Sequence, residues 1–224
     1  MIGKIKYTKC AHISRRKFDV IFDCFCADIL SVKTAQIVHI NRKTSDRYFQ
    51  IFRSLIKTDA LEERLDIDLS NGIEVDESYF GPRRVRGKRG RGARGKTIVL
   101  GLLKRNGKVY CEIIKSAERE ALMPIIRRVV RSGSDIYSDG WRSYDALAVY
   151  GYNHKKVKHD ENEFAREDGT HINGVESYWS WTKRRLSKFN GISKGLFAQY
   201  LLESEWRFNH RDSIRKDLRK LLKS

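Results

Sequence analysis

The apolar spacing of the chain changes once, at Asn71-Gly72. Before it, apolar residues recur at helical intervals, as at Phe18, Ile21, Phe22 and Phe25 and again at Tyr48, Ile51, Phe52 and Leu55. After it, short apolar runs bounded by turn residues read as strands, beginning with Ile73–Phe80. Thr97–Leu103 and Val109–Ile114 follow, joined by Asn106-Gly107, a hairpin turn. Helical spacing returns over 117–130, a strand over 134–139, a short helix over 141–149 and a fifth strand over 152–158. Helices over 172–188 and 192–209 complete the order β-β-β-α-β-α-β-α-α. Such an order makes a mixed sheet: three antiparallel strands, then crossovers. The fold class is therefore α/β, with a five-stranded mixed sheet flanked by helices and a small all-α domain ahead of it. The expected boundaries are an all-α domain over 1–62, a linker over 63–70, the sheet domain over 71–210 and a basic tail over 211–224.

Within 1–62, Ser14 can cap a first helix, 31–40 forms a second, and Thr44 can cap a third. Two helices joined by a tight turn, with polar and basic residues opening the second, form the helix-turn-helix pattern. Arg42, Lys43, Arg47 and Gln50, with Ser45 and Asp46, would face a DNA groove or its phosphates.

Charge supports a polyanionic partner. The 224 residues carry a formal net charge of +18, and 33% of them are charged. Residues 81–96 hold Arg83, Arg84, Arg86, Lys88, Arg89, Arg91, Arg94 and Lys96 and no acid. This glycine-rich segment reads as an arm lying along a phosphate backbone. Gly90–Thr97 also satisfies the phosphate-loop pattern, but no apolar strand precedes it and a hairpin follows where a helix is required. Arg184 and Arg185 add further DNA-binding candidates. The four cysteines include no pair with zinc-ribbon spacing, so no cysteine zinc site is expected and free thiols in a reducing cytosol are the default. No run of 18 apolar residues exists and no secretory signal is visible, so no membrane partner is expected.

Three acids stand at informative places. Asp76 lies in the first strand, Asp139 ends the fourth, and Glu176 lies one turn into the late helix. Carboxylates near sheet ends are costly to bury unless they meet a cation. Three that converge suit Mg²⁺, and two such ions can activate water and stabilise the leaving oxygen in phosphodiester cleavage. Taken singly, Asp139 could instead cap a helix and Asp76 could pair with an arginine. Lys183 lies seven residues after Glu176, so both project from one helix face. Trp141, Trp179 and Trp181 read as packing residues.

The blocks IEVDESYFG, YSDGWRSY and HINGVESYWSWTKRR resemble the signature blocks of small bacterial insertion-sequence transposases, over about residues 70–210. That family has an RNase H-like, retroviral-integrase-like core, and its signature is Asp, Asp, Glu or Asn, then Lys. Asp76, Asp139, Glu176 and Lys183 match it. The resemblance implies a Mg²⁺-dependent transposase, with Mn²⁺ as a substitute and two ions at Asp76, Asp139 and Glu176. It implies cleavage and strand transfer at terminal inverted repeats of double-stranded DNA, by a homodimer or higher oligomer in the bacterial cytoplasm, at the nucleoid. Asn173, 34 residues past Asp139, is an accessory candidate as metal or substrate neighbour. His171 is another, either bonded to the scissile strand or placed at the helix start. The alternative from another class is a DNA-binding regulator, or an inactive relic of a transposase, without catalysis.

Overall fold

A computed structural model describes residues 13–67, 69–81, 96–105, 107–157 and 172–223. Asn106 of the expected hairpin, His171 and the arginines and lysines from Arg83 to Arg94 lie outside the described residues. The chain divides into two units, one holding residues up to Leu65 and from Leu202 onward, the other Asp66–Leu201.

The second unit contains the expected sheet. Its strands are β1 (Ile73–Phe80), β2 (Thr97–Lys104), β3 (Val109–Ile114), β4 (Asp135–Asp139) and β5 (Asn153–Val157). Their order across the sheet is β3-β2-β1-β4-β5. The first three strands pair antiparallel; β4 pairs parallel with β1, and β5 parallel with β4. The phosphate-loop pattern ending at Thr97 runs into a strand, not a helix. Helix α4 (Arg119–Val129) carries Leu122, Ile125, Ile126 and Val129 into a core with Val75, Leu100, Leu102 and Ile136. Leu69, expected in a linker, bridges to Val130 and is buried in that core. A single 3-10 turn (Arg142–Tyr144) and α5 (Ala146–Val149) connect β4 to β5.

The opposite face of the sheet receives α6 (Asn173–Ser187). Val175, Tyr178, Trp179, Thr182 and Leu186 are among its buried residues. Their helical spacing makes one apolar stripe. The stripe needs a gap in the sheet, and Gly101 of β2 provides it. A Cβ at Gly101 would lie 2.4 Å from Cζ2 of Trp179. The indole therefore sits directly on the strand backbone. Trp179 is packing, as expected, and Trp181 packs on Tyr178 with ring centroids 6.2 Å apart. Trp141 differs: it is 44% exposed.

The helical unit holds α1 (Arg15–Cys26), α2 (Ser31–Val38), α3 (Arg42–Leu65), the second half of α7 (Lys194–Asn209) and α8 (Ile214–Leu221). Ser14 caps α1 by accepting from the Lys17 amide. The third helix begins earlier than Thr44: Asn41 Oδ1 accepts from the Lys43 amide at 2.8 Å and starts it. It then runs for 24 residues, to Leu65, and so takes in the first three residues of the expected linker. Arg42, Lys43, Arg47 and Gln50 lie on it and are all exposed, whereas Ser45 is buried and donates to the Ser31 carbonyl at 3.0 Å.

Residues 211–224, expected as a basic tail, instead include α8, with Leu218 and Leu222 buried beside Phe22, Phe52 and Trp206. Ile214, Leu218, Leu221 and Leu222 form an apolar stripe at helical spacing, which the surrounding lysines and arginines obscure when only composition is read. The returning segment is tied down by charge as well as by apolar burial. Buried Glu203 accepts from Arg53 and Arg207, each at 2.9 Å, and Arg207 also donates to the Phe25 carbonyl at the end of α1.

Gly101→Ala should lower stability by about 1–3 kcal/mol, because the new methyl and the Trp179 ring cannot share the space. Urea denaturation of the two proteins measures the difference, and an unchanged midpoint would contradict this packing.

Candidate active site

The parallel register of β1 and β4 pairs Ile73 with Ile136, Glu74 with Tyr137 and Val75 with Ser138. The next residue in each strand is Asp76 and Asp139. The two acids thus leave neighbouring strands at one level, where pairing between these strands stops. Side chains alternate between faces along a strand. Asp76 therefore shares a face with Glu74, and Asp139 with Tyr137. That face is the one covered by α6, because Glu74 contacts the first turn of α6.

This contact positions the third acid. Glu74 is 1% exposed, and its Oε2 accepts from the Val175 amide at 2.9 Å. Its other oxygen accepts from Arg105 Nε at 3.1 Å. A helix N-terminus offers unpaired N–H groups and positive potential, so a carboxylate there is favoured. Gly174 lets the approach happen, since a Cβ there would lie 2.8 Å from Glu74 Oε2. The Arg105 guanidinium also stacks over the Tyr137 ring, 3.7 Å from its centroid, and so links this anchor to β4.

With α6 held there, Glu176 and Lys183 lie on its exposed side, within electrostatic reach of Asp76. The Lys183 ammonium lies 5.8 Å from the centre of the Phe80 ring. Its pKa is lowered by desolvation, with Lys96 adding repulsion, while Asp76 works in the opposite direction. Asn173, the first residue of α6, is exposed. Arg184 is exposed, but Arg185 is only 6% exposed and packs against Phe189. One residue turns a helix by about 100°, which carries Arg185 onto the inward stripe while Arg184 stays outside. Arg185 is thus placed for packing, not for a surface contact.

Asp76, Glu77, Tyr79, Ala117, Asp139 and Trp141 line a cleft of about 220 Å³. Burial pushes the Asp76 carboxyl up to about 6, and the charges of Asp139 and Glu176 add to the rise; a hydrogen bond from the Glu77 backbone and the charge of Lys183 oppose it. Asp139 Oδ1 accepts from the Trp141 amide at 3.1 Å, which aims the carboxylate and fixes the turn after β4. The Trp141 indole donates to the Ala117 carbonyl at 3.4 Å, so its exposed ring is held on the cleft wall.

Glu77, like Glu74, is a residue that sequence reasoning missed. Its Oε1 accepts from the Tyr144 hydroxyl at 2.6 Å. Burial pushes its carboxyl up to about 7, with Asp76 and Asp139 adding, while the Tyr144 bond works against them. The tandem Asp76-Glu77 was the visible signal, but alternation along a strand sends the second acid to the other face. Past the last β1–β4 pair, Val75 with Ser138, both nonetheless line one cleft.

Residues 68–209 match the family described as ISXO2-like transposase domain. An uncharacterized transposase-like protein of Haemophilus influenzae is 44% identical over 103 residues, covering 46% of this chain and 82% of the relative. An uncharacterized protein in the transposable element ISH50 of Halobacterium salinarum is 30% identical over 172 residues, covering 70% of this chain and 57% of the relative. Among solved structures, a chain of the simian T-cell lymphotropic virus intasome in complex with PP2A regulatory subunit B56 gamma gives a TM-score of 0.40 at 13% identity, covering 63% of this chain and 49% of that one. The Mos1 transposase paired-end complex with left transposon end gives 0.30 at 12% identity, covering 95% and 80%. Structural likenesses at those scores are too slight to assign a function.

The crowding of acids has a measurable consequence. The folded-state pKa of Asp76, about 6, lies above its ordinary value of 3.8, so the folded chain binds the extra proton between them. Stability from this group is full below about pH 4 and is lost as pH rises through about 6. In EDTA at pH 7.5, Asp76→Asn should therefore be more stable than the parent by about 1–2 kcal/mol. The gain should vanish near pH 4. Thermal melts at the two pH values test this, and a destabilised variant at pH 7.5 would refute it.

Proposed function

The chain belongs to the family of ISXO2-like transposase domains, and on that premise we propose that it cleaves and joins DNA strands at the terminal inverted repeats of an insertion sequence. The observation that supports this reading is that Asp76 and Asp139 leave adjacent strands at one level and line one cleft, with Glu176 and Lys183 in electrostatic reach of Asp76. Asp76, Asp139 and Glu176 would hold divalent cations. Their donor atoms are all carboxylate oxygens, which suits Mg²⁺, and the raised pKa of Asp76 marks a place where negative charge lacks compensation. When bound, the ions supply activation of the attacking hydroxyl or water and stabilisation of the leaving oxygen.

The chain's own residues divide the remaining work. Asp139, aimed by the Trp141 amide, and Asp76 keep a fixed relative position because both leave paired strands. Glu176 depends on the seating of α6 by Glu74. Lys183 meets a phosphate of the scissile strand, its ammonium near the face of Phe80 and partly desolvated, which strengthens its attraction to the anion. Asn173, at the start of α6, and His171 neighbour the same strand. Arg42, Lys43, Arg47 and Gln50 on α3 provide a DNA-contacting row, and Arg83, Arg84, Arg86, Lys88, Arg89, Arg91, Arg94 and Lys96, with Arg184, add phosphate contacts. Two DNA ends must be held together for transfer, so the active form is a dimer or higher oligomer on DNA.

The test supplies the purified chain with Mg²⁺ or Mn²⁺ and duplex DNA carrying the inverted repeats that flank its coding region. New 3′-hydroxyl nicks at the repeat ends are expected. Asp139→Asn should reduce nicking at least about a thousandfold, and Lys183→Ala by about a hundredfold, while both still bind the duplex. Full nicking by Asp139→Asn would sink the assignment. Salt-dependent binding with no metal-dependent nicking by the parent would favour a DNA-binding regulator instead.

A further inference from the structure

A second group of metal-ligating side chains lies in the helical unit and shares no residue with the sheet-end cleft. Asp59 and Glu63 stand one turn apart on α3, and His210 follows the last turn of α7. One ligand atom from each lies within 4.8 Å of the other two, and all three residues are half-buried. Their surroundings fix their orientation. His210 Nδ1 lies 3.0 Å from Asp217 Oδ2, and the Ser213 hydroxyl donates to that same oxygen. The Trp206 ring stacks on the imidazole at 4.3 Å and 18°. The Trp206 indole N–H donates to Asp59 Oδ2 at 2.7 Å.

So held, the imidazole turns its other nitrogen toward the carboxylates. His210 Nε2 lies 3.2 Å from Glu63 Oε1, yet this nitrogen is buried and makes no hydrogen bond. Those two facts together fit a chelate. In a hydrogen bond the oxygen sits along the ring's N–H direction. In a chelate the cation takes that direction, and the oxygen stands to one side. With metal–ligand distances near 2.0–2.1 Å, neighbouring ligands of one ion are about 3.0–3.4 Å apart. The observed separation falls in that interval.

We propose that Asp59, Glu63 and His210 form a site for a borderline divalent transition-metal ion, of which Zn²⁺ is the representative. The imidazole nitrogen selects against Mg²⁺, which prefers an all-oxygen shell. Asp217 acts from behind the ligand: accepting the Nδ1 proton leaves the Nε2 lone pair for the ion. No cysteine takes part, so cysteine spacing in the sequence cannot signal the site. The ion joins α3 to the segment that returns from α7, and these are two of the stretches of chain that build the helical unit. Binding would therefore stabilise that unit.

Zn²⁺ is titrated calorimetrically at pH 7.5 into the full chain carrying Asp76→Asn and Asp139→Asn, which removes competition at the sheet end. One Zn²⁺ per chain is expected, with a raised melting temperature. A large excess of Mg²⁺ should not displace it. Adding Glu63→Gln should weaken binding at least tenfold, and Asp217→Asn by about 10–100-fold. Co²⁺ should give visible ligand-field absorption in the same background, a readout that needs no folding of the further variants. The proposal is overturned if that background binds no stoichiometric Zn²⁺ and shows no Co²⁺ band. It is equally overturned if a folded Glu63→Gln protein, judged by circular dichroism, binds Zn²⁺ as tightly as before.

Discussion

The candidate site depends on one buried carboxylate that takes no part in the proposed chemistry. Glu74 sits on β1, two residues before Asp76, and its two oxygens are divided between Arg105 and the amide of Val175. A carboxylate removed from water is costly unless its lone pairs are met and its charge is balanced. Here a guanidinium and a helix N-terminus do both. The consequence is geometric. The strand carrying the first acid and the helix carrying the third are joined at a fixed level, and β1 registers directly with the strand carrying the second. Two glycines make the joint possible: Gly174 admits Glu74, and Gly101 admits the Trp179 ring. Neither glycine has a positive φ, so their value lies in the missing Cβ rather than in backbone freedom.

The joint works against the electrostatics it creates. Asp76 is held where burial and two neighbouring acids resist its ionisation, and Glu77 is held similarly from the other face. Lys183 opposes this only in part, because burial and the two neighbouring acids outweigh its charge at Asp76. Such an arrangement makes no sense as a stabilising feature, because folding would be easier with neutral residues. It fits the proposed binding of a cation, since the unfavourable repulsion is what divalent charge relieves. The rest of the sheet supplies the stability that these acids withhold. Val75, Leu100, Leu102 and Ile136 are all fully buried on the side facing α4.

Much of this was legible in the sequence. The switch of period at Asn71-Gly72 gave away the two kinds of structure, and each strand and major helix of the sheet unit falls within a few residues of its expected place. The three acids and the lysine stood out as candidates because Asp76 lies within the first strand, Asp139 ends the fourth, and Glu176 and Lys183 share one helix face. What escaped reading depended on long-range contacts. Glu74 looks like any polar residue in an alternating strand until Val175, 101 residues later, donates to it. Arg185 looked like part of a basic run, yet the helix turns it inward beside Phe189. Residues 211–224 looked like a tail because their charge outweighs four well-spaced apolar residues. Trp141 looked like core because tryptophan usually is, but the Asp139 turn holds it at a cleft wall.

Arg185 and Arg207 show why counting cations could not locate the charge that matters. Both belong to a chain with a formal net charge of +18, and both are nearly inaccessible. Arg207 is consumed internally by Glu203 and by carbonyls at the end of α1, and Arg53 by the same glutamate. Net charge sets a long-range attraction to a polyanion whatever the side chains touch. Short-range phosphate binding needs cations that remain exposed. On α3, Arg42 is 72% exposed in its side chain even while it pairs with Asp46, a contact worth little in water. Phosphate can replace that partner at small loss, whereas nothing outside can replace Glu203 beside Arg53. The arginines of this chain thus separate by solvent access into those consumed inside either unit and those left exposed, and only the fold makes that separation visible.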